Sequence, residues 1–304
     1  MCLLTPAAAT GGPDVAPVQA RYARRVIVAA ALCPPAPLLV PGLAVGLAVE
    51  LDDLVAACRK AVGRLAGADR IVVVSVGIGR AAGRRLAPGT VVSAAPFSRS
   101  DHPATPTVRL PYRPASSGPS GDAGRPGTAE YDGYDAVPAD AGSDGRGTSA
   151  VSLTAGSIVA AYLLDAGAVD APTFAYQLPH DADPADATRM FVDLDPTVPT
   201  GFLVMANGAA AHSEHAPGGD DPRSRGFDAD LVTAMSSGDP AQLADTCRVR
   251  AGLAAELHDE TLPALAALAE LARGSGAATA EMLHYSAPLG IGYLVATWQW
   301  AAVA

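Results

Sequence analysis

Cysteine is scarce in this chain, with only Cys2, Cys33, Cys58 and Cys247 among 304 residues. None forms a Cys-x-x-Cys pair or stands in zinc order with a histidine, which excludes the common structural zinc motifs. Cys58 and Cys247 fall on expected helix faces and read as buried free thiols, which fits a reducing cytoplasm. Long apolar runs are missing too. No uninterrupted stretch of about 20 apolar residues occurs, so no membrane span is expected. Excess positive charge is the third absence. With 31 Asp and Glu against 21 Lys and Arg, a net charge of −10, the chain lacks the basic patch that a nucleic-acid groove needs.

What is present is a large apolar fraction, 49%, ample for a substantial core. Arg21-Tyr-Ala-Arg-Arg25 followed by Val26–Cys33 imitates a signal peptide. But Leu32 stands where cleavage needs a small residue, and Pro34-Pro35 ends the apolar run early. Val26–Leu32 reads instead as a buried strand.

The spacing predicts a helix over about Glu50–Ala66, with Leu51, Leu54, Val55, Cys58, Val62 and Leu65 on one face and Gly67 as its stop. Arg70–Val76 reads as a second buried strand, so the three elements make a βαβ unit with a parallel pair. A helix follows over about Thr154–Ala166, then strands at Thr173–Gln177 and Gly201–Ala206. Asp239-Pro240-Ala-Gln242 is an N-cap with proline at the first helical position. Helix then runs to about Arg273, with Pro263 opening a fresh segment after Thr261. The stretch containing Glu281 and His284 reads as helix, and Gly292–Trp298 as the last strand. Two stretches stand apart. Residues 1–24 read as a flexible tail. Eight glycines and four prolines occupy the 36 positions of Arg113–Thr148, and a disordered insert over about 98–150 is expected within one α/β domain covering 25–304.

Two framing runs, Ala29-Ala-Ala-Leu-Cys-Pro-Pro-Ala-Pro-Leu-Leu-Val-Pro41 and Ser286-Ala-Pro-Leu-Gly-Ile-Gly-Tyr-Leu-Val-Ala-Thr-Trp298, resemble the class III extradiol ring-cleavage dioxygenase (LigB-like) superfamily. The helix of Ser152–Leu164 and the segment Gly201–Gly218 resemble parts of the same family. The resemblance spans roughly residues 26–96 and 151–300. It implies an α/β fold with a central, largely parallel sheet, helices on both faces, and a cleft at the carboxyl ends of the strands.

The family chemistry uses Fe(II) held by two imidazoles and a carboxylate, with a further histidine as acid/base. By resemblance, the first ligand would fall within Pro34-Pro35-Ala36, which has no donor side chain. The second would lie just after the Ile71–Val76 strand, where Gly77-Ile-Gly-Arg80 stands. Anchored on Ala216-Pro-Gly218, Asn207 takes the place of a family Asp and Ala210 that of the catalytic His. His212, two residues on, becomes the candidate catalytic residue. Asn207, His180, Glu281 and His284 are candidates for the ligand-binding cleft. No metal ligand is assigned.

The expected function is therefore a diverged extradiol-dioxygenase-like protein that has lost the Fe(II) site and binds a small molecule or a partner in the old cleft. An aromatic compound is a candidate ligand, and a homo-oligomer a candidate assembly. The alternative is an active oxidoreductase with a metal site rebuilt from His180, His212 and His284, for which Fe(II) would be the cofactor. A third reading uses Gly77-Ile-Gly-Arg-Ala-Ala82, which matches the dinucleotide fingerprint but lacks a following helix and a strand-end acid about 20 positions on.

Overall fold

The computed structural model describes residues 26–40, 43, 48–77, 79, 82–94, 97, 107–111, 153–183, 189–192 and 194–301. The expected tail of residues 1–24, and residues 98–106 and 112–150 of the expected insert, lie outside these.

Seven strands make one sheet in the order β3-β6-β2-β7-β1-β9-β8. They are β1 (Ile27–Cys33), β2 (Arg70–Gly77), β3 (Arg84–Leu86), β6 (Thr173–Pro179), β7 (Thr200–Met205), β8 (Thr279–Ser286) and β9 (Tyr293–Gln299). At its centre β6, β2, β7 and β1 run parallel; β3 and β9 lie antiparallel against the two sides of that block, and β8 pairs antiparallel with β9. These central strands are the β-branched, apolar runs read from the sequence. Both their faces are covered, so they show no polar alternation.

Alternation appears in which helix layer each residue meets. Ala30, Leu32, Val72, Val74, Phe202 and Val204 share one core with α3 (Ser224–Ser237), α4 (Pro240–Glu256) and α5 (Leu262–Leu271). Ala29, Ala31, Ile71, Val73, Leu203 and Met205 share the other with α1 (Ala48–Gly63) and α2 (Ala155–Ala166). Helix α5 is apolar nearly all round because the sheet packs it on one side and α4 on the other. The cap signals act as expected: Thr154 Oγ1 accepts from the Ser157 amide at 3.0 Å, and Asp239 Oδ1 from the Ala241 amide at 2.9 Å.

Three features depart from the sequence reading. Helix α3 has no clean apolar period, because Ser224 and Asp228 share its buried face with Phe227, Leu231 and Met235. Thr107–Arg109, inside the expected insert, forms β5 and pairs with β4 (Val91–Ser93), and Leu110 just beyond is fully buried. Glu281 and His284 stand on strand β8 and not on a helix. They still share a face, for another reason. A bulge between Met282 and His284 shifts the register so that Glu281 pairs with Thr297 and His284 with Val295.

Among the described residues no helix is long and apolar enough to cross a membrane.

Candidate functional site

The carboxyl end of β7 leads into the loop 206–212, where buried polar contacts gather. Their hub is Asp228 on α3, which has no solvent exposure. Its Oδ1 accepts from the Ala209 amide at 2.7 Å. Its Oδ2 lies 2.7 Å from His212 Nε2 and accepts from the Tyr285 hydroxyl at 2.9 Å. A buried carboxylate is tolerated only when donors surround it, and three do here.

Two glycines make room for it. A Cβ on either Gly208 or Gly292 would overlap the Asp228 carboxylate. The backbone is laced at the same place: the Gly208 amide donates to Gly292 O at 2.7 Å, and the Gly292 amide to Ala209 O at 2.8 Å. The loop 206–212 and the turn before β9 are thus clamped around one side chain. Burial, reinforced by the Asp228 carboxylate and the hydrogen bond to it, pushes the Tyr285 phenol well above its usual range.

Beside the hub lies a second group. The Asn207 amide donates to Thr261 Oγ1 at 2.7 Å, and Thr261 Oγ1 donates to Asp259 Oδ1 at 2.7 Å. The Thr261 amide also donates to Asp259 Oδ1, at 2.8 Å, so this carboxylate holds the turn that leads into α5. Asn207 Oδ1 and Asp259 Oδ2 are buried and accept no hydrogen bond from any described residue. Burial pushes the Asp259 carboxyl up to about 7, and the charge of Asp228 adds to the rise, while the Thr261 hydroxyl and the Thr261 and Leu262 amides pull it down. Unpaired buried acceptors are rare in folded proteins and make this pair a candidate site.

The candidates named from the sequence separate into three places. Asn207 and His212 come together here, with Asp228, Tyr285, Asp259 and Thr261, which sequence reasoning did not single out. Gly292 carried a signal in the Gly290-Ile-Gly292 run, although nothing local links it to Asp228. Glu281 and His284 lie on the α1 side of the sheet. Glu281 is bonded to Lys60 at 2.6 Å and Arg64 at 3.4 Å, and His284 Nε2 lies 2.7 Å from Ser286 Oγ. His284 lines an open groove of about 390 Å³ with Asp53, Ala57, Lys60 and Leu283. His180 is exposed in the turn that follows β6.

The positions that would hold iron offer little. Pro34-Pro35-Ala36 follows β1 without a donor side chain, and Gly77 ends β2. Helix α2 closes over these strand ends: a Cβ on Gly156 would lie 2.7 Å from Ser75 Cβ and 3.5 Å from Pro35 Cβ. Ser75 itself belongs to a buried hydroxyl cluster, 3.0 Å from both Thr154 Oγ1 and Ser157 Oγ. Of the three histidines considered for a rebuilt site, His212 turns to Asp228 on the α3 side, His284 faces α1 and His180 stands at the end of β6. The described residues do not fit a two-histidine, one-carboxylate iron site.

Of the glycine loop after β2, Gly77, Gly79 and Ala82 are among the described residues. Gly79 and Gly83 have φ of 58° and 74°, and the chain continues into strand β3 where the dinucleotide fingerprint needs a helix.

No protein-family model matches the chain, and no curated protein matches it. The residues therefore have to carry the functional reading alone.

Proposed function

We propose that this chain is a diverged, extradiol-dioxygenase-like α/β protein that binds a small molecule at the carboxyl end of β7 and does not cleave aromatic rings. The observation that carries the reading is Asn207. Its backbone amide is anchored on Thr261 while its buried side-chain Oδ1 accepts nothing from the described residues. An acceptor held in place and left unpaired at a strand end suits a ligand donor, and strand ends are where open α/β sheets bind ligands.

The neighbouring His212 is the residue best placed to serve as a general base, but its Nε2 is engaged by Asp228, and that bond makes it part of the clamp. In this reading Asn207 contacts the ligand, while His212, Asp228 and Tyr285 hold the loop that presents it. The family resemblance supplies the expectation of an aromatic ligand. The donor-free segments Pro34–Ala36 and Gly77–Gly79 argue against ring cleavage.

The test is a thermal-shift screen of hydroxylated and amino-substituted single-ring compounds, followed by calorimetry, with oxygen uptake recorded in parallel after anaerobic loading with Fe(II). Saturable binding without added metal, weakened at least tenfold by Asn207→Ala, is the expected result. Retention of about one equivalent of iron together with oxygen uptake on a catechol would overturn the reading in favour of an active dioxygenase.

A further inference from the structure

Asp259 occupies a position that helices usually give to an apolar side chain. Helix α4 ends with the Asp259 amide donating to Ala254 O at 2.9 Å and the His258 amide to Ala255 O at 3.4 Å, while His258 takes the left-handed conformation at φ 56°. In this helix-ending motif the residue after the left-handed one commonly packs back on the last turn through an apolar contact. Here it is a carboxyl, and it is only 5% exposed.

One of its oxygens has a structural task. Oδ1 accepts from the Thr261 amide and hydroxyl and holds the turn before α5. Oδ2 accepts no hydrogen bond within normal geometry from the described residues, and neither does Asn207 Oδ1, although the Leu262 amide also favours the ionised Asp259 carboxylate. Both residues are tied to the same Thr261 hydroxyl, so the two free acceptors belong to one small region, beside the Asp228 carboxylate. With Asp259 ionised, the region is rich in acceptors and negative charge and poor in donors. An anionic ligand group would meet only repulsion there. A hydroxyl has a single proton to offer. A protonated primary amine brings three donors and a compensating charge.

Resting on the reading of this strand end as a small-molecule site, we propose that Asn207 Oδ1 and Asp259 Oδ2 receive the protonated amino group of the ligand. Arrival of the cation draws the Asp259 proton off to solvent. The exchange conserves charge: one ammonium arrives, one proton leaves, and the buried carboxylate formed is paired at once. The groups facing Asp259 are Asp228 from α3, Cys247 from α4, Thr261 just before α5 and the Leu262 amide at its start, with exposed His258 and Glu260 flanking it in the chain. Burial, with Asp259 adding to it, pushes the Cys247 thiol up to about 12, so it stays neutral throughout.

Calorimetry on the full chain tests this with three probes of one ring and different charge: benzylammonium, benzyl alcohol and benzoate. Benzylammonium is expected to bind at least tenfold tighter than benzyl alcohol, and benzoate not at all. Its affinity should rise about tenfold per pH unit below the Asp259 transition and level off above it. Comparison of two buffers with different ionisation heats should show about one proton released per ligand at pH 6. Asn207→Ala should lower the affinity at least tenfold with an unchanged circular dichroism spectrum. His258→Ala should keep the pH slope, which assigns it to Asp259.

Benzyl alcohol binding as tightly as benzylammonium, or affinity independent of pH between 5.5 and 8, overturns the amine inference and leaves the small-molecule reading standing. Binding of none of the three overturns the inference, while the wider screen decides the reading on which it rests.

Discussion

Tyr285 and His212 meet on one oxygen. The phenol donates to Asp228 Oδ2 at 2.9 Å, and the imidazole Nε2 lies 2.7 Å from the same atom. Tyr285 stands on β8, His212 in the loop after β7 and Asp228 on α3, so a single carboxylate joins three elements. Asp228→Ala would leave the His212, Tyr285 and Ala209 donors without their acceptor. A loss of about 2–4 kcal/mol in urea unfolding is expected. Asp228→Asn, which keeps one acceptor oxygen, should lose less.

The glycines around that carboxylate can be tested separately. At Gly208 and Gly292 an added Cβ would strike a buried side chain that its hydrogen bonds prevent from moving. Each Gly→Ala change should destabilise by about 1–3 kcal/mol, the usual range for overpacking. At Gly226, where nothing lies within 4 Å of an added Cβ, the same change within α3 should be neutral or stabilising. Thermal denaturation of the three variants decides the matter.

Ultraviolet titration reports on Tyr285. Burial, then the charge of Asp228 and the bond to it, hold this phenol protonated well past the ordinary tyrosine range. A slow or late-ionising tyrosine is expected in the wild type, and Tyr285→Phe should remove it. In Asp228→Asn the same phenol should ionise at lower pH, because the carboxylate charge is gone while burial remains, opposed by the charge of Arg225.

Asp259 makes stability fall with pH over a defined window. Its carboxyl stands at about 7 in the folded chain against 3.8 for the ordinary group. Below about pH 4 both folded and unfolded forms hold the proton, and the group contributes nothing to the slope. Between about 4 and 7 the unfolded chain is ionised while the folded one keeps its proton, so stability declines as pH rises; above about 7 the decline stops. Denaturant midpoints measured from pH 4 to 8 should show the fall in the wild type and a flatter profile in Asp259→Asn.

Much of the architecture was legible because its causes are local. Val72–Val74, Phe202–Val204 and the apolar face of α1 show their periods within a few residues, and Thr154 and Asp239 cap the helices that follow them. Where the local signal misled, a distant partner was responsible. Glu281 and His284 have helical spacing, yet pairing with β9 draws them into a strand and a bulge gives them a common face. Helix α3 was missed because its buried stripe contains Asp228, whose polarity makes sense only beside His212 and Tyr285.

The candidate site divides in the same way. The sequence by itself determined the parallel core, the donor-free segments at Pro34–Ala36 and Gly77–Gly79, and the choice of Asn207 and His212 as residues to examine. Only the tertiary structure decided what those two residues face. His212 and Tyr285 lie 16 and 57 positions from Asp228, and Thr261 lies 54 from Asn207. Hydrogen bonds over such separations follow from how strands and helices pack, and no periodicity within one element records them.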